Sequence, residues 1–89
     1  MYFVYILQSL DSNHFYIGAS RDVRKRLREH NNGSSKSTKP YRPWDIIYTE
    51  KFNSKEEAMK REYYLKTPKG YLEKKRIFDK NKKSYGEVA

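Results

Sequence analysis

The sequence contains no cysteine. Disulfides and thiolate metal sites are therefore excluded, and with them a secreted fold stapled by cystine bridges. A reducing, cytoplasmic setting is the simplest expectation. Long apolar runs are also missing. None approaches the roughly 20 residues of a membrane-spanning helix, so no membrane partner is expected. The opening stretch MYFVYILQSLDS has no basic segment ahead of its apolar residues, which argues against a signal peptide. Acidic residues are few, 11 Asp and Glu against 20 Lys and Arg, leaving a net charge of +9. With insertion set aside, so large a charge points to a polyanionic partner such as nucleic acid. The 89 residues suffice for one domain with a modest core, so any active site is a shallow cleft on a small sheet. No internal repeat or long linker interrupts the chain.

Tyrosine, by contrast, is plentiful, with nine residues. Residues 2–8, YFVYILQ, are aromatic and β-branched enough for a central strand. The turn residues SLDSNH follow, and FYIGA reads as a second strand completing a hairpin. Ser20 is the expected N-cap of a first helix, with Asp22 in its first turn, running to about Asn31. NNGSSKST stops that helix, and residues 32–43 form a polar, basic loop. WDIIYTEKF, residues 44–52, is a third strand. Ser54 and Glu57 have capping-box spacing, predicting a helix to about Lys66. Thr67 and Pro68 predict a last helix over roughly 68–79. The order β-β-α-β-α-α makes an α/β (α+β) fold with a mostly antiparallel sheet flanked by helices. Residues 1–79 form the single domain, and 80–89 a flexible, basic tail.

Helical angles separate the cations. With Arg21 at zero and about 100° per residue, Val23 and Leu27 define a core-facing stripe at about 200° and 240°. Arg24, Lys25 and Arg28 share the solvent side with Arg21. Arg26 lies at about 140° and His30 at about 180°, beside the apolar stripe. A guanidinium held against the sheet needs an anionic partner, either a protein carboxylate or a ligand phosphate. On the later helix, Glu62 falls inside the apolar arc of Ala58, Leu65 and Met59. A carboxylate there must be paired, protonated or bound to a cation. A salt bridge to Arg26 and a hard metal ion both satisfy that demand. Tyr5 and Tyr16 sit on the two hairpin strands, where packing and acid/base work are both open. Gly18 relieves a special dihedral or lets a ligand approach the backbone.

The ordered set VYIL, YIG, RKRLREHN and PWDIIYTEKFNSKEEAMKRE resembles the GIY-YIG nuclease domain, a superfamily that includes an excinuclease, some homing endonucleases and restriction enzymes, and small stand-alone bacterial proteins. The resemblance covers about residues 2–66. It implies that Tyr5 and Tyr16 are the tyrosines of the two half-motifs and Gly18 the glycine of the second. It further implies that Arg26 is the helix arginine, that His30 fills a position held by His or Tyr, and that Glu62 is the carboxylate for one divalent metal, Mg²⁺ or Mn²⁺. The first half-motif here reads Phe3-Val4-Tyr5, without its glycine or isoleucine. Ala19 stands where excinuclease relatives carry lysine.

The resemblance implies a metal-dependent DNA endonuclease with Tyr5, Tyr16, Arg26, His30 and Glu62 as its catalytic set. Tyr5 is the implied general base, its phenol lowered from about 10 by Arg26 and the metal. Gly18, Arg21, Arg24, Lys25, Arg28, Lys36 and Lys39 are the candidate nucleic-acid contacts. Phosphate contacts of this kind carry no sequence preference, so low specificity or selectivity for branched or nicked DNA is expected, as in repair or recombination. Two rivals remain open: a nucleic-acid-binding module with weak or no turnover, and a basic interaction domain docking on a larger repair or RNA assembly.

Overall fold

Strand β1 (Tyr2–Ser9) carries an unbroken buried run from Val4 to Ser9. Such a run fits a central strand covered on both faces, and β1 is central. In the computed structural model, which describes residues 1–83, it lies between β2 (Phe15–Ser20) and β3 (Trp44–Phe52). Both pairings are antiparallel, with Tyr5 opposite Gly18 on β2 and Thr49 on β3. Helices α1 (Val23–Asn31), α2 (Lys55–Leu65) and α3 (Tyr71–Asn81) complete the predicted order β-β-α-β-α-α. Among the described residues no helix is long and apolar enough to cross a membrane.

Alternation along β1 sends its side chains into two layers. Val4 and Ile6 join Ile17, Ala58 and Leu65, with Ile77 and Phe78 of α3 packed alongside. Tyr5 and Leu7 join Trp44, with Val23 and Leu27 of α1 and Tyr16 of β2 against them. The sheet is thus sandwiched, α2 and α3 on one side and α1 on the other. Full burial of one such aliphatic side chain is worth about 1.5–3 kcal/mol.

The helix starts refine the sequence reading. The cap of α1 is Asp22, whose Oδ1 accepts the Lys25 amide at 3.0 Å. Ser20, expected in that role, instead bonds the Asp22 amide and carbonyl and shapes the turn before the helix. A carboxylate is as good a cap as a hydroxyl and adds favourable charge at the positive helix end. Ser54 caps α2 as predicted, accepting the Glu57 amide at 3.2 Å and donating to its carboxylate at 3.1 Å.

The last helix begins later than predicted. Pro68–Gly70 is a 3-10 turn, and the α-helix starts at Tyr71. The Thr67 hydroxyl donates to the Tyr64 carbonyl at 2.7 Å instead of capping. Gly70 packs so closely on α2 that a Cβ would overlap the Tyr64 carbonyl. The helix then runs through Asn81, so two residues assigned to the tail are helical. Lys83 is fastened as well, its amide and carbonyl both bonded to the Gln8 side chain at 2.8 Å. The rest of that predicted tail, residues 84–89, lies outside the described residues.

One ion cluster ties three elements together. Arg61 of α2 grips Glu50 of β3 with two nitrogens, at 2.8 and 3.0 Å, and also pairs with Glu73 of α3. Tyr48 donates to the same Glu50 carboxylate at 2.6 Å.

Candidate active site

Gly18 makes the site possible. A Cβ there would stand 2.5 Å from the Tyr5 hydroxyl oxygen and 2.9 Å from the Tyr16 ring. Its backbone has no left-handed φ; among the described residues only Gly33 does. The reason for glycine is therefore space, and that space is filled by two phenols of the same chain. This corrects the expectation of a special dihedral. The Tyr5 and Tyr16 ring centroids lie 6.2 Å apart.

His30 goes deeper than its helical angle suggests. It is 0% exposed, at the end of α1, where the sequence placed it beside the core stripe. Its ring meets the Tyr16 ring at 4.7 Å and the Tyr5 ring at 6.1 Å. Nε2 lies 3.1 Å from the Tyr5 hydroxyl, and Nδ1 lies 2.8 Å from the hydroxyl of Thr38. Thr38 is 1% exposed and comes from the 32–43 loop. That loop is fastened by Trp44, whose indole donates to the Thr38 carbonyl at 2.9 Å. Asn31 and Trp44 bond each other twice at the loop's ends, at 2.6 and 3.1 Å.

Arg26 finds its anion on its own helix. Glu29 accepts from Nη1 at 2.6 Å, and the Arg26 side chain is 36% exposed. The bridge to Glu62 that the sequence allowed is not what the fold makes: Glu62 pairs with Lys66 at 2.7 Å. The Lys66 ammonium also lies over the Tyr16 ring, 5.7 Å from its centre. Through Lys66, Glu62 joins the edge of the tyrosine cluster, and its charge is felt at Tyr5. The Glu62 side chain is 24% exposed. Among the described residues no group of three or more His, Asp and Glu gathers. A groove of about 380 Å³ opens beside β2, lined by Tyr16, His14, Phe15, Lys66, Lys74 and Phe78, among others.

The electrostatics differ from the expectation for Tyr5. Burial pushes its phenol up to about 12, although Arg26 beside it pulls the other way. Desolvation outweighs one cation here, so Arg26 by itself does not lower this phenol. Burial, reinforced by Arg26, pushes His30 below its ordinary value and keeps the imidazole neutral. A neutral ring has one donor and one acceptor, which fits its two hydroxyl partners.

The other predicted cations stand apart from this cluster. Arg21, Arg24, Lys25, Arg28, Lys36 and Lys39 are all exposed, on α1 and the segments flanking it. Sequence reasoning missed Thr38 and Glu29. Angles on α1 could have found Glu29, one turn from Arg26; nothing distinguishes Thr38 from the other hydroxyls of its loop.

Comparison with known proteins matches residues 1–85 to the family described as GIY-YIG catalytic domain. The chain is 38% identical over 88 residues to the UPF0213 protein YazA of Bacillus subtilis, covering 98% of this chain and 86% of that protein. It is 43% identical over 67 residues to a UPF0213 protein of Staphylococcus saprophyticus, covering 74% of this chain and 80% of that one. The solution NMR structure of a UPF0213 protein from Bacillus halodurans superposes with a TM-score of 0.53 at 33% identity, covering 91% of this chain and 86% of that one.

Proposed function

Because the chain belongs to the GIY-YIG catalytic-domain family, which suggests phosphodiesterase chemistry, we propose that it is a metal-dependent endonuclease acting on DNA. The observation that carries this reading is the gathering of Tyr5, Tyr16, His30 and Arg26 around one buried hydroxyl. Apolar packing alone does not require such a cluster, and it sits in a chain of net charge +9.

In this reading Arg26 holds the scissile phosphate. Its guanidinium matches phosphate oxygens two at a time, and a substrate phosphate would take over from Glu29. Tyr16, only partly buried, is the phenol substrate meets first and orients the attacking water. Tyr5 stands behind it. A phenolate is unfavourable at a site that pushes Tyr5 up to about 12. Transfer to His30 avoids one, the negative charge of the bound phosphate offsetting the disfavour of burial and Arg26 for an imidazolium. As Tyr5 takes the proton of the water, it hands its own to His30 Nε2. The water oxygen bonds to phosphorus, and the ester oxygen leaves with its electron pair.

Glu62 offers one hard oxygen donor group, partly exposed, which fits a divalent ion such as Mg²⁺ or Mn²⁺ that keeps most of its waters. Such an ion supplies charge neutralisation at the leaving oxygen. The exposed cations of α1 and the loop contact flanking phosphates. Their contribution is salt-sensitive and sequence-independent, so the substrate is selected by DNA structure or hardly at all. A role in repair or recombination fits that selectivity.

One observation favours a second reading, a binding module with little turnover. Arg26 and Glu62 are both engaged by neighbours, Glu29 and Lys66, which must let go for catalysis. Incubation with branched, flapped, nicked and linear DNA, with Mg²⁺ or Mn²⁺ and with chelator, separates the two. The nuclease reading expects metal-dependent nicking that Glu62→Gln and Arg26→Ala lose while Glu62→Gln still binds. Salt-sensitive binding with no cutting of any substrate supports the second reading. Cutting that persists in Glu62→Gln refutes the metal assignment.

A further inference from the structure

The hydroxyl of the loop threonine Thr38 meets His30 and the Ser35 carbonyl instead of capping a helix. It stands at the N-cap of the short Lys39–Tyr41 turn, yet makes no capping bond. It points inward instead, 2.8 Å from His30 Nδ1 and 1% exposed. We propose that Thr38 is a positioning residue that fixes the tautomer of His30, holding the proton on Nδ1 so that Nε2 can accept from Tyr5. The catalytic part of this inference rests on the nuclease reading; the tautomer itself does not.

The assignment follows from the Tyr5 end of the chain of bonds, and the Thr38 end agrees with it. Thr38 has one hydroxyl proton, directed at the Ser35 carbonyl at 3.4 Å, an acceptor only. With its proton on that carbonyl the hydroxyl oxygen is an acceptor towards Nδ1, the arrangement that the Tyr5 end of the chain selects. From the other end, Tyr5 lies between His30 Nε2 and the guanidinium of Arg26. Arginine only donates, so the Tyr5 proton has one place to go, the lone pair of Nε2. Both ends fit one order: Tyr5 O–H to Nε2, and Nδ1–H to Thr38 Oγ1. The opposite tautomer would leave the Tyr5 proton facing donors on both sides. The relay therefore runs in one direction, and the loop sets it.

The fold holds Thr38 independently of this hydroxyl. Its carbonyl is bonded by the Trp44 indole, and its amide donates to the Ser35 carbonyl. Removing the hydroxyl should therefore leave the loop in place. Thr38→Val keeps the shape without the acceptor, and Thr38→Ser keeps the acceptor.

Long-range ¹H–¹⁵N NMR of the full chain reads the tautomer directly, without substrate or metal. The expected result is a protonated Nδ1 and an unprotonated Nε2 in the natural protein and in Thr38→Ser. Thr38→Val should move His30 towards mixed tautomers or to Nε2–H. With substrate, Thr38→Val should slow nicking on the order of 10–100-fold, the usual cost of losing an orienting partner, and Thr38→Ser should recover most of it. An Nε2–H tautomer in the natural protein, or an unchanged Nδ1–H in Thr38→Val, overturns the proposal. If the tautomer shifts as expected while the natural protein cuts nothing, the positioning stands and the nuclease reading falls.

Discussion

The two faces of the sheet bury different chemistry. Towards α2 and α3, β1 sends Val4 and Ile6 into hydrocarbon with Ile17, Ala58 and Leu65. Towards α1, the same strand sends Tyr5 into a layer that also closes over His30 and Thr38. Buried hydroxyls and imidazoles add about 0.5–1.5 kcal/mol per bond when satisfied and cost about 1–3 kcal/mol when not. Hydrocarbon of the same volume would hold the fold at least as well. Among the described residues no buried side-chain polar atom lacks a partner, so the polar layer is completely bonded. The first face is largely apolar, whereas the second sets hydroxyls and an imidazole among Leu7, Trp44, Val23 and Leu27. Substitutions on the two faces can therefore separate packing from the placement of polar groups.

The largest separation is expected at Arg26. Arg26→Ala should cut the nicking rate by about 10²–10³-fold, as for loss of a preorganised donor. Its half-exposed pair with Glu29 is worth about 1 kcal/mol, so the melting temperature should move little. Leu65→Ala tests the opposite face. It should cost about 2–5 kcal/mol in denaturant unfolding, with nicking per folded molecule unchanged. Arg61→Met sharpens the contrast between the two arginines. It leaves Glu50 and Glu73 facing each other unneutralised, and should cost about 1–3 kcal/mol while raising hydrogen exchange in α3.

Acid and alkali probe the polar face from both sides. His30 is held below its ordinary value, so the unfolded chain binds a proton before the folded one does. Its contribution to stability is full above about pH 6.5 and declines as the pH falls through that range. Tyr5 is raised to about 12, so its contribution is full below about pH 10 and is lost as the pH rises from there towards 12. Unfolding measured against pH should lose the limb at about pH 6 in His30→Gln, and its alkaline limb should shrink in Tyr5→Phe, with Tyr48, also pushed up to about 12 by burial, keeping the remainder. The smallest expected effect is at Lys66. Lys66→Met removes the cation already on Glu62 and should tighten Mn²⁺ binding a few-fold by calorimetry.

Much of the architecture was legible in the residues because it rests on local rules. The apolar run of β1, the turn residues before Phe15, and the Ser54–Glu57 box mark element type without tertiary information. Ser20 and Asp22 are both good caps two residues apart, and only the path of the chain after β2 chose between them. The last helix started late because Gly70 packs on the Tyr64 carbonyl, a contact between elements that no local pattern announces. In the site, helical angles singled out Arg26 and Glu62 and put His30 near the core. They could not say that each charge would be met on its own helix, by Glu29 and Lys66, because side-chain reach along a helix competes with reach across the fold. Thr38 was invisible, one hydroxyl beside those of Ser34, Ser35 and Ser37 in a loop with no periodicity. The depth of Tyr5 was equally hidden, since burial depends on what covers the strand.

The most direct test of the central claim is the single-turnover nicking rate of Tyr5→Phe beside its melting temperature. This change deletes one buried oxygen and leaves the ring in place. The account predicts a rate at least about 100-fold lower, the usual range for loss of proton transfer, in a protein that stays folded at the assay temperature. Unchanged nicking in the folded variant would contradict it.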